Sequence, residues 1–473
     1  SYNNDNNDDD DDNHREEDSG KPSPPSVPSF GSKEALQNCD YVNVVLTDHG
    51  GKRNQCTAIV PQYESYHIQK WMRLGDKGVD KSSDLQLVSR AMQSNGRNQF
   101  APPRAKFIQQ NRRVLQTYFD SFEAAIAELK PKVEKVATPK KTVTVMVSNF
   151  GQSELLMNFV CNARAKNLDI SSVLVFATDP ETAELAEGLG LTAFYDKQNY
   201  AEIPSDAAGS YGDRKFIAMM MAKVMCVQMV SSLGYNILFQ DVDMIWFKNP
   251  IPFFEAKNKE LQDYDMLFQD DGGHTVRYMP YSANSGFYYV RANERTAYFF
   301  SALMNAGDMI LESHSHQQAL IALLSEHVSL FGLRVKVFSR DEDEFPGGYQ
   351  YHQKTGKFMR RFLEGDADPY IFHMSWTLNK DNKQKFLQQM GFWHTEQQCV
   401  AVQPKDLAAL GNGGADDGTP PFVETCCLAE ADFKCHYKDK PSKFPCHDSP
   451  AIDKGGKSFW KAKGQEQRKK KKQ

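Results

Sequence analysis

"GYNILFQDVDMIWFKNP", Gly234 to Pro250, decides how the rest of the chain is read. Ile237, Leu238 and Phe239 form an apolar run of the kind a buried strand needs. Asp241 and Asp243 follow at once with Val242 between them, and Met244-Ile245-Trp246-Phe247 is apolar again. Acids between two buried stretches are costly unless something pairs with them. Carboxylates at i and i+2 beyond a strand end can share one hard divalent cation, Mg2+ or Mn2+, which also takes phosphate oxygens. The plainer alternative is that one or both acids cap the following turn. An aspartate-nucleophile phosphatase also carries Asp-x-Asp after a strand, with the first acid attacking phosphorus. There the pattern opens the fold, whereas here three strands precede it. An EF-hand loop is excluded, because further acids and the loop glycine are missing.

Upstream, apolar runs and helical patterns alternate. "TVTVMVSNF" (142–150) predicts a buried strand, and "SELLMNFVCNARAKN" an amphipathic helix. "SSVLVFATD" (171–179) is a second strand, "PETAELAEGLG" a helix with Pro180 in its first turn, and "LTAFYD" a third strand. "RKFIAMMMAKVMCVQMVSSLG" predicts a long helix stopped by Gly234; its methionines read as core. No apolar run looks long enough to span a bilayer. The alternation predicts an α/β fold with a doubly wound, mostly parallel sheet, whose ligands lie beyond the carboxyl ends of the strands. Asp179, Asp241 and Asp243 all fall there.

The stretch "MMMAKVMCVQMVSSLGYNILFQDVDMIWFKNP" resembles the core signature of nucleotide-diphospho-sugar transferases of glycosyltransferase family 77. The likeness continues through "MLFQDDG", "ANSGFYYVRAN", "HQQALIALL" and "IFHMSWTLNKDNKQKFLQQMGFW", over roughly residues 142–395. The resemblance implies a GT-A fold, a Rossmann-like sheet, and a retaining transferase that uses Mn2+ (or Mg2+). The donor would be a nucleotide sugar, UDP-linked, and the acceptor a hydroxyl of a glycan or glycoprotein. It makes Asp241, Asp243 and His373 the metal ligands. It places Lys380 or Lys383 on the diphosphate and Lys223 near the nucleotide or a core acid. It puts Gln317 beside the anomeric carbon. His316 stands where the family carries an Asp that commonly holds sugar hydroxyls, so donor identity stays open.

Other candidates follow from position. Asp270 and Asp271, at the next strand end, could bind sugar hydroxyls or simply turn the chain into Gly272-Gly273. Asn284-Ser285-Gly286 precedes the strand "FYYVRAN", where a glycine would admit a sugar or acceptor, or merely make a turn. The resemblance further implies that Asn149 and Phe150, after the first strand, and Asp179, after the second, mark where a uridine would lie.

The 473-residue chain carries a net charge of -5, which argues against a general nucleic-acid binder. Four regions are expected. Residues 1–32, acidic and then proline-rich, read as a disordered stem. Residues 33–138 read as an accessory region with a hairpin that a Cys39–Cys56 disulfide could close, then a helix around "NRRVLQTYFDSFEAAIAELKPKVEKV". Residues 139–396 are the GT-A domain, and 397–473 a Cys-rich extension with a basic tail. Of nine cysteines, Cys161 and Cys226 read as buried thiols. Cys399, Cys426, Cys427, Cys435 and Cys446 lie among Gly, Pro and charged residues that build no large core. They point to disulfides, an oxidising compartment and a Golgi or ER lumen address. The chain begins with Ser, so an upstream membrane anchor would not be seen. The rival to an enzyme is a carbohydrate-binding scaffold on a degenerate transferase fold, with His316 as its support.

Overall fold

The computed structural model describes residues 104–434 apart from 210–211, 257–258, 275–277, 279–280, 353–357, 378 and 412–417, and short strand pieces on either side. Among those pieces Val44–Thr47 pairs antiparallel with Cys56–Ile59, the hairpin expected from the sequence. The 1–32 stem, Cys39, Cys435, Cys446 and the basic tail lie outside the described residues.

The first long element is α1 (Ala105–Val136). It buries Tyr118, Ala125, Leu129 and Val133, a stripe at helical spacing. Strand β1 (Thr142–Ser148) is buried along its whole length, as a central parallel strand covered on both faces must be. Then come α2 (Ser153–Ala165), β2 (Val173–Ala177), α3 (Pro180–Gly188) and β3 (Thr192–Tyr195). Asp179 caps α3, with Pro180 at its first position. Helix α4 (Arg214–Ser232) is capped by Asp213, and its methionines are buried in the core as expected. Against the sequence expectation, α4 is long and apolar enough to cross a membrane by length and composition. It packs against the sheet, which accounts for that apolarity.

Strand β4 (Asn236–Gln240) leads into the Asp-x-Asp and then the short β5 (Met244–Trp246). The chain continues through β6 (Met266–Asp270), β7 (Ala283–Val290), α5 (Glu294–Asn305), α6 (His316–Phe331), β8 (Val335–Val337), β9 (Ile371–His373), α7 (Lys380–Met390) and α8 (Pro421–Cys426). One seven-stranded sheet runs in the order β8-β6-β7-β4-β1-β2-β3. Only β7 runs antiparallel to its neighbours. This is the mostly parallel, doubly wound α/β sheet expected of a GT-A chain. Its two faces are covered by two separate apolar clusters, one with α2 and the C-terminal segment, the other with α1 and α4.

Two features aim side chains at the carboxyl end of β4. The register between β6 and β7 jumps, so Phe268 faces Tyr288 but Asp270 faces Ala283. The excess residues of β7, Asn284 to Phe287, bulge there. Separately, β5 pairs with β9 and sets Met244 opposite His373.

The cysteine reading needs correcting. Cys161 is not a thiol: it is bonded to Cys427, and Cys399 is bonded to Cys426. Cys226 is a buried thiol as expected. The C-terminal segment also contributes to a large core after all, since Leu407, Phe422 and Val423 are buried in the cluster that contains α2.

Candidate active site

Asp241, Asp243 and His373 offer ligand atoms that all lie within 4.8 Å of one another. His373 Nε2 is 3.5 Å from Asp243 Oδ1 and 3.9 Å from Asp241 Oδ2. The other ring nitrogen, Nδ1, is 2.8 Å from Gln269 Oε1. An amide oxygen can only accept, so Nδ1 carries a proton and donates to Gln269, which turns Nε2 toward the carboxylates. Gln269 is itself fixed, its Nε2 donating to Phe345 O (2.8 Å) and Pro346 O (3.0 Å). Two carboxylates and an imidazole oriented from behind suit Mn2+ or Mg2+.

Positive charge surrounds the acids. Lys223, on α4, pairs with Asp241 Oδ1. Lys383, on α7, lies 2.7 Å from Asp243 Oδ2 as an ion pair. Burial would raise the Asp243 carboxyl, but the Lys383 cation beside it holds it well below the usual carboxylate range. Lys380 does not reach the acids. It lies 2.6 Å from Glu154 Oε2 on α2.

The bulge of β7 forms the next layer. Asn284, Ser285 and Gly286 lie within the strand, not in the turn that was the alternative for them. Asn284 Nδ2 donates to Asp271 Oδ1 (3.0 Å), and its Oδ1 accepts from Gly286 N (2.7 Å). Ser285 donates to Gln317 Oε1 from both its backbone N and its Oγ, each at 3.0 Å. Burial pushes the Asp271 carboxyl up to about 7, only partly offset by hydrogen bonds from Gln317 and Asn284. Asp270 turns the chain: its carboxylate accepts from Gly272 N at 2.6 Å and bonds His274 Nε2 at 2.7 Å. His316, first residue of α6, is buried with Nδ1 2.8 Å from Met220 Sδ. Burial, then the Lys223 charge, holds it well below the usual histidine range, so it is neutral.

Asn149 and Asp179 sit apart from this cluster, at the ends of β1 and β2. Both Asp179 oxygens are engaged, Oδ1 by Thr182 N (2.8 Å) and Oδ2 by Phe150 N (2.9 Å). Asn149 Nδ2 donates to Pro204 O and Asp206 O, both at 2.9 Å.

Sequence reasoning passed over Gln269, Glu154 and Trp376. Gln269 stands inside the quoted "MLFQDDG", beside the acids that drew notice. Trp376 follows His373 in "HMSW", has a left-handed backbone (φ 59°), and donates its indole N–H to Asp271 O at 2.6 Å. Only the folded structure, through this side-chain hydrogen bond between two separate sheets, reveals that Gln269 lies behind His373.

Residues 169–387, which contain the whole Asp–Asp–His cluster, match the family described as nucleotide-diphospho-sugar transferase. Among curated relatives, a beta-arabinofuranosyltransferase of Arabidopsis thaliana is 30% identical over 171 residues, covering 36% of this chain and 30% of that protein. A UDP-galactose:fucoside alpha-3-galactosyltransferase of Dictyostelium discoideum is 24% identical over 307 residues, covering 56% of this chain and 45% of its own. The matches thus span less than half the length of either relative. Among solved structures, the galactosyltransferase LgtC with donor and acceptor sugar analogues aligns at a TM-score of 0.33 and 11% identity, over 56% of this chain and 94% of that one. That likeness is too loose to carry an argument.

Proposed function

We propose that the protein is a metal-dependent, retaining glycosyltransferase that moves a sugar from a UDP-linked donor to a hydroxyl of a glycan or glycoprotein. The observation that carries this is the convergence of Asp241, Asp243 and a His373 oriented by Gln269, inside the segment matched by the transferase family. These three would hold Mn2+ or Mg2+. When bound, that cation neutralises a diphosphate and makes it a better leaving group.

The chain's own groups then have distinct tasks. Lys383, already at Asp243, offsets leaving-group charge. Gln317, fixed through Ser285, steadies the positive charge that develops on the sugar. Asp271 and Asn284 face the sugar hydroxyls as a hydrogen-bonded pair. Asn149 and Asp179 line the base end. Among the described residues no acid is placed as a covalent nucleophile, and the retention that the family resemblance implies is then same-face transfer, with the departing phosphate oxygen taking the acceptor proton. The relatives' names cover both pentosyl and hexosyl donors, and His316 is the residue through which this chain would differ. The two disulfides fit an oxidising Golgi or ER lumen.

The test is calorimetric titration of UDP with Mn2+, with EDTA, and on Asp243→Asn, followed by product stereochemistry. Binding that needs both the metal and Asp243 is expected, and an inverted anomeric centre would overturn retention. Failure to bind UDP would favour the scaffold reading, for which neutral, buried His316 is the specific support. Hydrolysis of simple phosphate esters through a phospho-aspartate would favour the phosphatase.

A further inference from the structure

Glu154 is a buried carboxylate in the first turn of α2, well outside the metal cluster. A buried acid is costly unless it is paired, and this one is paired twice, with two different parts of the chain. Its Oε1 accepts from the backbone N of Ala401 at 2.9 Å. Its Oε2 lies 2.6 Å from Lys380 Nζ. Ala401 belongs to the C-terminal segment and holds a left-handed backbone (φ 59°), a conformation that a non-glycine residue keeps only when its surroundings impose it. That segment is fastened on both sides, by Cys399–Cys426 just before it and by Cys161–Cys427, which returns to α2 itself.

Lys380 opens α7, and Lys383 is one turn further on, so the two share a face of the helix. The first reaches Glu154 and the second reaches Asp243. The same helix is gripped at its far end, where Gln388 Nε2 donates to Asp432 Oδ2 at 2.8 Å. Beyond it, Asn158 of α2 takes His394 N (2.7 Å) and gives to Phe392 O (3.0 Å). Helix α7 is therefore set between α2 and the disulfide-fastened segment.

We infer that Glu154, through Lys380, is a positioning residue that sets the depth of α7 and so holds Lys383 against the metal-binding carboxylates. The C-terminal segment is then part of the donor site's support. Lys380 is its internal anchor, with Lys383 left as the cation that faces a diphosphate. The last step rests on the proposed function; the positioning itself does not.

Amide hydrogen exchange on the full chain tests the positioning without any ligand. Glu154→Gln keeps an acceptor for Ala401 but loses the charge that pairs with Lys380, and Lys380→Met loses the other charge. Each should speed exchange across residues 380–390 by roughly tenfold, the scale for residues coupled in one network. Exchange in α4 should not change. The double variant should be no faster than the faster single, and Lys380→Arg should restore slow exchange. Unchanged exchange in both singles, or effects that multiply in the double, would overturn the coupling. The affinity for UDP with Mn2+ should fall roughly tenfold in each single variant. Full affinity with loosened α7 would remove the link to the donor site. A wild-type chain that binds no UDP would sink the transferase reading instead, while the exchange result still decides the positioning.

Discussion

Gly286 faces Asp241 with no room for a side chain: an added Cβ would lie 2.6 Å from Asp241 Oδ2 and 2.6 Å from His373 Cε1. The two residues are also joined through the backbone, Asp241 N donating to Gly286 O at 2.8 Å. The bulge in β7 thus brings a bare backbone against the metal-binding atoms.

Gly286→Ala should therefore separate Asp241 from His373. Forcing one methyl into a packed site costs about 1–3 kcal/mol, which corresponds to a roughly 5- to 150-fold weaker site if the strain falls on the ligands. Mn2+ titration by calorimetry would read it. An alanine variant that binds Mn2+ as tightly as wild type would show that β7 yields and the contact is incidental.

Gln269→Leu should weaken the metal site through His373, while also taking the donor from the Phe345 and Pro346 carbonyls. It removes the acceptor at 2.8 Å that keeps a proton on Nδ1 and turns Nε2 toward the carboxylates. Losing such an outer partner costs about 10–100-fold in metal affinity. The thermal midpoint without metal should also fall, because two buried carbonyls lose their donor, so metal affinity is read on the folded variant. Gln269→Glu keeps an acceptor and should retain most of the affinity. Equal losses in both variants would count against a tautomer-fixing role.

Much of this was legible in the sequence. The strand–helix alternation, the end of β4 at Asp241 and the start of α3 at Pro180 are local, since apolar period and helix-start chemistry act within a few residues. His373 could be named only because "HMSW" carried a resemblance; its partner Asp243 is far away in sequence and meets it through the β5–β9 pairing. The Asn284–Gly286 bulge was not legible, because the register jump depends on how β6 and β7 meet. Nor was Cys161–Cys427, whose separation of 266 residues no spacing rule reaches. Lys380 and Lys383 look alike in sequence and were parted only by what lies opposite each, Glu154 for one and Asp243 for the other.

Cys161→Ala with Cys427→Ala removes the tie between α2 and the C-terminal segment. Releasing a cross-link over a long loop costs about 2–5 kcal/mol, so the urea midpoint should fall accordingly. If the C-terminal segment supports the donor site, UDP affinity with Mn2+ should fall too, measured at temperatures where the variant is still folded. A lower midpoint with unchanged affinity would confine the bridge to stability.

Asp271 gives a pH dependence of a definite sign. Its carboxyl is raised from an ordinary value of 3.8 to about 7, mainly by burial. The unfolded chain releases this proton near pH 4, whereas the folded protein keeps it until about pH 7. Between those values the folded state binds more protons, so stability falls as pH rises through the window and levels off above it. One unit is worth 1.36 kcal/mol, so the full effect is at most on the order of 4 kcal/mol. Asp271→Asn is neutral throughout and keeps an amide oxygen to accept from Asn284. The variant's thermal midpoint should nearly match wild type at pH 4.5 and exceed it by a growing margin toward pH 8. A difference that stays flat across that range would show that Asp271 is ionised in the folded protein, and that the hydrogen bonds from Asn284 and Gln317 outweigh its burial.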